Sequence, residues 1–223
     1  MGMRVIVTAG PTREYIDTVR FITNASSGQM GYACADQAVR AGHQVSLITG
    51  PVAIAPPTGC EVVSIVSVEE LQAELDRRFD ACDALVMTAA VGDFTVQPRL
   101  AGKIPRAAGP VTITLVPTPD VLGYLGRRRR NDQVLVGFAV EDANDIEKAY
   151  RELSAKNCDY LVLNGPAAMG AKESEACILG REGLVLDWAR RSKTALAREV
   201  VGLLGPAKTA TTKGTKHTKK TRE

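Results

Sequence analysis

Apolar residues fall along this chain in two alternating patterns. Short, nearly continuous runs such as Val5-Ile6-Val7 in residues 4–10, Val45 to Ile48 in 44–50 and Ala84 to Met87 in 84–90 have the character of strands covered on both faces. Between them apolar residues return at helical spacing. Ala33, Ala35, Ala38 and Val39 mark a helix over residues 31–41, closed by Gly42, and a second helix starts at Ser67, with Glu70 completing a capping box, and runs to Phe79. With a further strand over 61–66, the first half reads βαββαβ. The second half continues the rhythm: a helix opened by residues 117–120 and ended by the basic run 127–130, a strand over 133–139, a helix over 144–157 and a strand over 159–164. This alternation predicts an α/β fold, a Rossmann-like, doubly wound and mostly parallel sheet with helices on both faces.

Two stretches interrupt the rhythm. Residues 94–110 are rich in Pro, Gly and basic side chains without apolar periodicity, which predicts a long exposed flap carrying Lys103, followed by an edge strand over 111–116. Residues 176–179 and 183–186 flank Gly180-Arg181-Glu182 as a hairpin, and residues 188–204 read as the last helix.

The organising stretch is residues 20–31, Arg-Phe-Ile-Thr-Asn-Ala-Ser-Ser-Gly-Gln-Met-Gly. A β-prone start, a run of small residues and a helix behind them make a turn in which Ser26 or Ser27 caps the helix. Gly28 and Gly31 let another group approach the backbone, and free N–H groups with the helix dipole seat an anion such as phosphate. The plainer reading is a cap and turn with no guest. Strand four ends in Ala89-Ala90-Val91-Gly92-Asp93, small residues with one carboxylate at the edge where open α/β sheets bind ligands.

Composition narrows the class without naming a reaction. At 223 residues, 45% hydrophobic and 24% charged, the chain suits one domain over residues 1–205. The formal charge of +3 is concentrated in residues 206–223, where six Lys or Arg face one Glu; that tail reads as disordered, and the body is slightly acidic. No apolar run reaches the about 18 residues of a membrane span, and the N-terminus lacks the layout of a signal peptide, so the chain reads as soluble and cytoplasmic. Five scattered cysteines, without a C-x-x-C pair, read as reduced apolar residues. His43, beyond a helix end, reads as an exposed surface residue.

The glycine turn alone resembles that of short-chain dehydrogenases, so an NAD(P)-dependent oxidoreductase is one reading. That family's Tyr-x-x-x-Lys pair is missing: Tyr124 leads to Arg128 and Tyr150 to Ser154, and the second strand ends in Gly50-Pro51 without a carboxylate for a cofactor ribose. A non-catalytic nucleotide-binding module, its basic tail recruiting a partner, is another.

The full set of motifs resembles the phosphopantothenate–cysteine ligase family, the ligase half of the bacterial bifunctional coenzyme A biosynthesis flavoprotein. The residues that carry the resemblance are Thr8-Ala-Gly-Pro-Thr-Arg-Glu14, Asp17 with Val19-Arg20-Phe21-Ile22, Asn24, Ser26-Ser27-Gly28 with Met30-Gly31, and Gly50-Pro51. They continue through Ala89-Ala90-Val91 with Asp93, Lys103-Ile104, Pro119-Asp120, Gly137-Phe138-Ala139 with Glu141, and Lys156 with Asp159. The resemblance implies ligation of 4′-phosphopantothenate and cysteine through an acyl-nucleotide. It implies that Asn24 binds the reacting acyl centre and that Ala89, Ala90 and Asp93 line the substrate and nucleotide cleft. Arg20 would hold the substrate phosphate from the neighbouring subunit of a homodimer, and Lys103 would contact the triphosphate. Pro119, Asp120, Val121, Leu122, Phe138 and Lys156 would shape the nucleotide pocket, with Mg²⁺ on the phosphates and no protein ligand for it assigned. Bacterial members use CTP and eukaryotic ones ATP, and CTP is favoured here.

The chain departs from the family pattern at Glu152 and Gln29, each where a lysine is usual, with Arg151 a candidate substitute for the first; residues 164–175 lack an Asp-x-Asn. The flavin-dependent half is missing, which implies a stand-alone ligase whose product passes to a separate decarboxylase.

Overall fold

The computed structural model describes residues 2–106, 109–141, 145–165, 167, 171 and 173–205. In chain order the elements are β1 (Arg4–Ala9), β2 (Arg13–Tyr15), β3 (Phe21–Thr23), α1 (Gln29–Arg40), β4 (Gln44–Thr49), β5 (Glu61–Ser64), α2 (Val68–Arg78) and β6 (Ala84–Met87). There follow β7 (Phe94–Val96), β8 (Leu115–Pro117), α3 (Val121–Arg128), β9 (Val134–Val140), α4 (Ile146–Ala155), β10 (Tyr160–Asn164), β11 (Glu173–Gly180), β12 (Gly183–Ser192) and α5 (Lys193–Gly202).

Eight strands form one sheet in the order β12-β11-β10-β9-β6-β1-β4-β5. Every pair from β5 to β10 is parallel, and β11 and β12 close the edge as an antiparallel hairpin. The chain winds outward from β1 in one direction, through β4 to β5, and then in the other, through β6 and β9 to β10. The strand order therefore reverses between β1 and β6, and the crevice at their carboxyl ends is where a doubly wound sheet receives ligands.

Alternation along the strands feeds two cores. Ile6, Ile48, Leu85, Leu135 and Leu161 face α2, α3 and α4 through Leu71, Leu75, Leu125 and Leu153. Val5, Val7, Leu47, Val86 and Val162 face α1 and α5 through Ala35, Ala38, Leu196 and Val200. The small residues of α1 let that helix lie close on the sheet, which fixes the height of its N-terminus above the crevice.

Ser67 caps α2 by accepting from Glu70 N at 3.2 Å, while the Glu70 carboxylate accepts from Val66 N at 2.6 Å. Ser67→Ala is expected to lower stability by about 1 kcal/mol, read as a shift in denaturant midpoint at unchanged slope.

Several expectations are corrected. The cap of α1 is neither Ser26 nor Ser27 but Gly28, whose φ of 77° lies in the left-handed region, and no side chain among the described residues caps the helix. The last helix starts at Lys193 instead of residue 188, because β12 keeps pairing with β11 out to Ser192 opposite Glu173. Within 111–116 only Leu115 and Val116 join a strand, pairing with Thr95 and Val96 of β7. His43 is buried: Gly42, at φ 83°, turns the chain back into the sheet, and His43 Nδ1 accepts from Met3 N at 3.2 Å. Burial lowers its pKa, so it stays neutral near pH 7. The cysteines are all unpaired, four of the five are buried, and burial pushes the Cys34 thiol up to about 12. Residues 107, 108, 142–144 and the tail 206–223, whose composition reads as disordered, lie outside the described residues. Among the described residues no helix is long and apolar enough to cross a membrane.

Candidate active site

The crevice between β1 and β6 is held open by backbone pinned with threonines. Thr8 Oγ1 accepts from Ala89 N at 3.1 Å, Ala90 N donates to Gly10 O at 2.9 Å, and Thr12 Oγ1 accepts from Gly92 N at 2.9 Å. Thr118 completes the frame from the other side, donating through its hydroxyl to Gly92 O at 2.6 Å and through its N–H to Asp93 O at 2.9 Å. Methyl-sized Ala89 and Ala90 are thereby fixed as the crevice floor, with Asp93 exposed on its rim. Over this floor comes the turn from β3 into α1. The amide of Asn24 donates to Val91 O at 3.0 Å, so the turn is fastened to the segment that carries Asp93. Behind it α1 starts without a side-chain cap, and its first N–H groups and positive dipole end face the cleft.

The cleft has a volume of about 580 Å³. Its lining brings together Asn24, Ala89, Ala90, Asp93, Pro119, Asp120, Val121, Leu122, Phe138 and Lys156. These residues come from distant parts of the sequence, and the carboxyl edge of the sheet joins them. Asp120 caps α3, accepting from Gly123 N at 3.0 Å, and Lys156 Nζ lies 3.6 Å from Asp120 Oδ1 and 3.1 Å from Glu152 Oε1. Burial works against the Lys156 charge, but the Glu152 and Asp120 carboxylates outweigh it and raise its pKa. At Glu152 the charge of the cleft wall is therefore reversed relative to a lysine. Arg151 does not line the cleft and faces Glu147 at 4.0 Å. Gln29 does line it, so its missing charge falls on the site.

Arg20 and Lys103 are not brought into this lining. Arg20 Nη1 lies 2.5 Å from Asp17 Oδ2, and both terminal nitrogens reach Ile104 O at 3.3 Å, at the tip of the flap. Lys103, next to Ile104, is exposed.

Other cleft residues escaped the sequence reading. Thr118 precedes the Pro119-Asp120 motif without belonging to it, and Glu141, a motif residue to which the resemblance assigns no role, lines the cleft and pairs with Lys148 at 2.5 Å. Asn164 ends β10 on the cleft and Lys193 opens α5 there, its pKa lowered by burial. The signal for Lys193 was the Ser192 cap, hidden inside a stretch read as helix from residue 188 onward.

Among the described residues no group of three or more His, Cys, Asp or Glu could hold a metal ion on its own. A site of this kind fits a Mg²⁺ that arrives on phosphates and needs one or two carboxylates from the protein. Asp93, exposed on the rim, fits that role.

The family model described as the DNA/pantothenate metabolism flavoprotein C-terminal domain matches residues 1–205. The chain belongs to this family. Its similarity extends to the coenzyme A biosynthesis bifunctional protein CoaBC of Bacillus subtilis, 43% identical over 171 residues, which cover 76% of this chain and 42% of that protein. A cysteine/cysteine sulfinic acid decarboxylase from an unknown prokaryotic organism is 37% identical over 205 residues, 90% of this chain and 57% of that protein. The chain thus spans about half the length of these curated relatives. Among solved structures, the C-terminal domain of a CoaBC protein superposes with a TM-score of 0.78 at 33% identity, covering 92% of this chain and 94% of that one.

Proposed function

We propose that this domain ligates 4′-phosphopantothenate and L-cysteine in coenzyme A biosynthesis, using a nucleoside triphosphate, CTP by preference. The observation that carries the reading is the single cleft that unites Asn24, the Ala89–Ala90 floor, Asp93 and the Asp120–Phe138–Lys156 wall, in a chain that matches the C-terminal domain of CoaBC along nearly its full length.

The chemistry asks for position and charge. The pantothenate carboxylate attacks the α-phosphorus, the bond to the β-phosphate oxygen breaks and pyrophosphate leaves; the cysteine amine then attacks the acyl carbon, loses its proton, and the nucleoside monophosphate leaves with one former carboxylate oxygen. No side-chain nucleophile takes part. The uncapped start of α1 offers N–H donors to phosphate, and small Ala89 and Ala90 let the reacting groups approach the backbone. Asn24, fastened to Val91 O, holds its amide at the acyl centre. Asp93 is the residue that would hold a Mg²⁺ arriving on the phosphates, which would supply neutralisation of their charge. Arg20 and Lys103 act on the cleft of a second copy, so the working form is a homodimer; Val19, Phe94, Leu100 and Leu115 are exposed apolar residues that supply contact for it. The product then goes to a decarboxylase.

The test is incubation with 4′-phosphopantothenate, cysteine, Mg²⁺ and CTP or ATP. Stoichiometric pyrophosphate with CMP or AMP is expected, CTP giving the faster turnover; an oxidoreductase gives neither product, and a binding module holds nucleotide without turnover. Glu152→Lys removes the carboxylate 3.1 Å from Lys156 Nζ and adds a cation. It is expected to lower the nucleotide KM by about tenfold, a change of about 1.4 kcal/mol, measured by varying CTP at saturating phosphopantothenate and cysteine.

A further inference from the structure

Asp17 is fully buried at the turn between β2 and β3, yet it is charged, and every bond it accepts leads to one of two segments. Its Oδ1 accepts from Val19 N and Arg20 N, each at 2.7 Å, and its Oδ2 accepts from Arg20 Nη1 at 2.5 Å and from Ile104 N at 3.2 Å. Burial disfavours the charge, but the N–H groups of Arg20, Val19 and Ile104 and the Arg20 guanidinium together hold the carboxyl well below the usual carboxylate range. The junction is reinforced on both sides. Leu100 N donates to Ile16 O at 3.1 Å, the Arg99 guanidinium lies 5.1 Å from the Tyr15 ring centroid, and Arg20 spans back to Ile104 O. The β2–β3 turn and residues 99–104 therefore form one clamped unit, with Lys103 exposed at its tip.

We infer that Asp17 is a positioning residue that makes Arg20 and Lys103 one mechanical unit, delivered together by one subunit into the cleft of its partner. The inference rests on the ligase reading and adds Asp17 to it: the carboxylate that ties Arg20 to the segment of Lys103 is needed for either to serve that cleft. A carboxylate that bridges both segments lets neither swing away alone. Neither side chain lines the cleft of its own subunit.

Mixed dimers test this. Chains with two different tags are co-expressed, dimers carrying both tags are purified, and ligation is read as pyrophosphate release. Asn24 belongs to the cleft and Arg20 to the delivered unit, so Asn24→Ala paired with Arg20→Ala leaves one complete cleft and recovers about half the wild-type rate. Asp17→Asn paired with Asn24→Ala recovers equally, which also shows that the Asp17→Asn chain folds, because its own cleft must be intact. Asp17→Asn paired with Arg20→Ala, or Arg20→Ala with Lys103→Ala, leaves no complete cleft and stays inactive. Activity in either of those last pairs, or no recovery with Asn24→Ala while the wild-type dimer ligates, overturns the inference. A wild-type chain that does not ligate overturns the ligase reading itself, and the inference with it.

Discussion

Replacing Asn24 by alanine is expected to cut amide formation by about 10²- to 10³-fold in kcat while nucleotide affinity changes little. The side chain sits on the turn at the mouth of the cleft, and its amide is held by Val91 O at 3.0 Å, so it is oriented before substrate arrives. A group oriented in advance costs no reorganisation when charge develops at the acyl carbon, and this makes its removal expensive in rate rather than in binding. The wall proposed to take the nucleotide, with Asp120, Phe138 and Lys156, is built by α3, β9 and the end of α4, none of which Asn24 touches by hydrogen bond. Titration of CTP into the variant, beside a kcat measurement with all substrates saturating, separates the two effects. A loss of nucleotide affinity matching the loss in rate would move Asn24 from the acyl centre to the nucleotide.

Gly31→Ala is expected to cost about 1–3 kcal/mol of stability and to weaken activity well beyond what that loss explains. A Cβ at this position would lie 2.4 Å from Thr88 Oγ1, 2.5 Å from Ala9 Cβ and 2.8 Å from Thr8 O. Thr88 cannot yield easily, because its hydroxyl donates to Thr8 O at 2.5 Å. The helix must therefore lift from β1 and β6, carrying its uncapped N-terminus away from the floor of the cleft. A displacement of about 1 Å in a positioning group can cost about 10²-fold in rate. Gly202→Ala is the control: it lies in the last turn of α5 with nothing within 4 Å of the added Cβ. Thermal unfolding and turnover measured side by side should show Gly31→Ala losing both and Gly202→Ala losing neither.

What the sequence revealed, and what it hid, follows from the range of the forces involved. The parallel strands were legible because residues buried on both faces leave a nearly unbroken apolar run, as in Val5-Ile6-Val7. Ser67 and Asp120 were legible as helix starts because a cap is decided within one turn of chain. The cleft was legible where its residues stand on short motifs at strand ends, as with Asn24, Ala89, Ala90 and Asp93. The boundary between β12 and α5 was not, because pairing with β11 across the hairpin overrides the local helical pattern from Trp188 to Ser192. His43 was misread for the same reason: Met3, which covers it, is far away in sequence. The clamp at Asp17 joins residues 87 positions apart, and no local pattern carries such a contact.

The central claim is that the cleft converts the pantothenate carboxylate into an acyl-nucleotide. One measurement bears on it directly: ligation of 4′-phosphopantothenate labelled with ¹⁸O in its carboxylate, followed by mass spectrometry of the released phosphates. The account predicts one labelled oxygen in the nucleoside monophosphate and none in pyrophosphate. Label in orthophosphate, with a nucleoside diphosphate as the other product, would mean that the γ-phosphate is the point of attack and would contradict it.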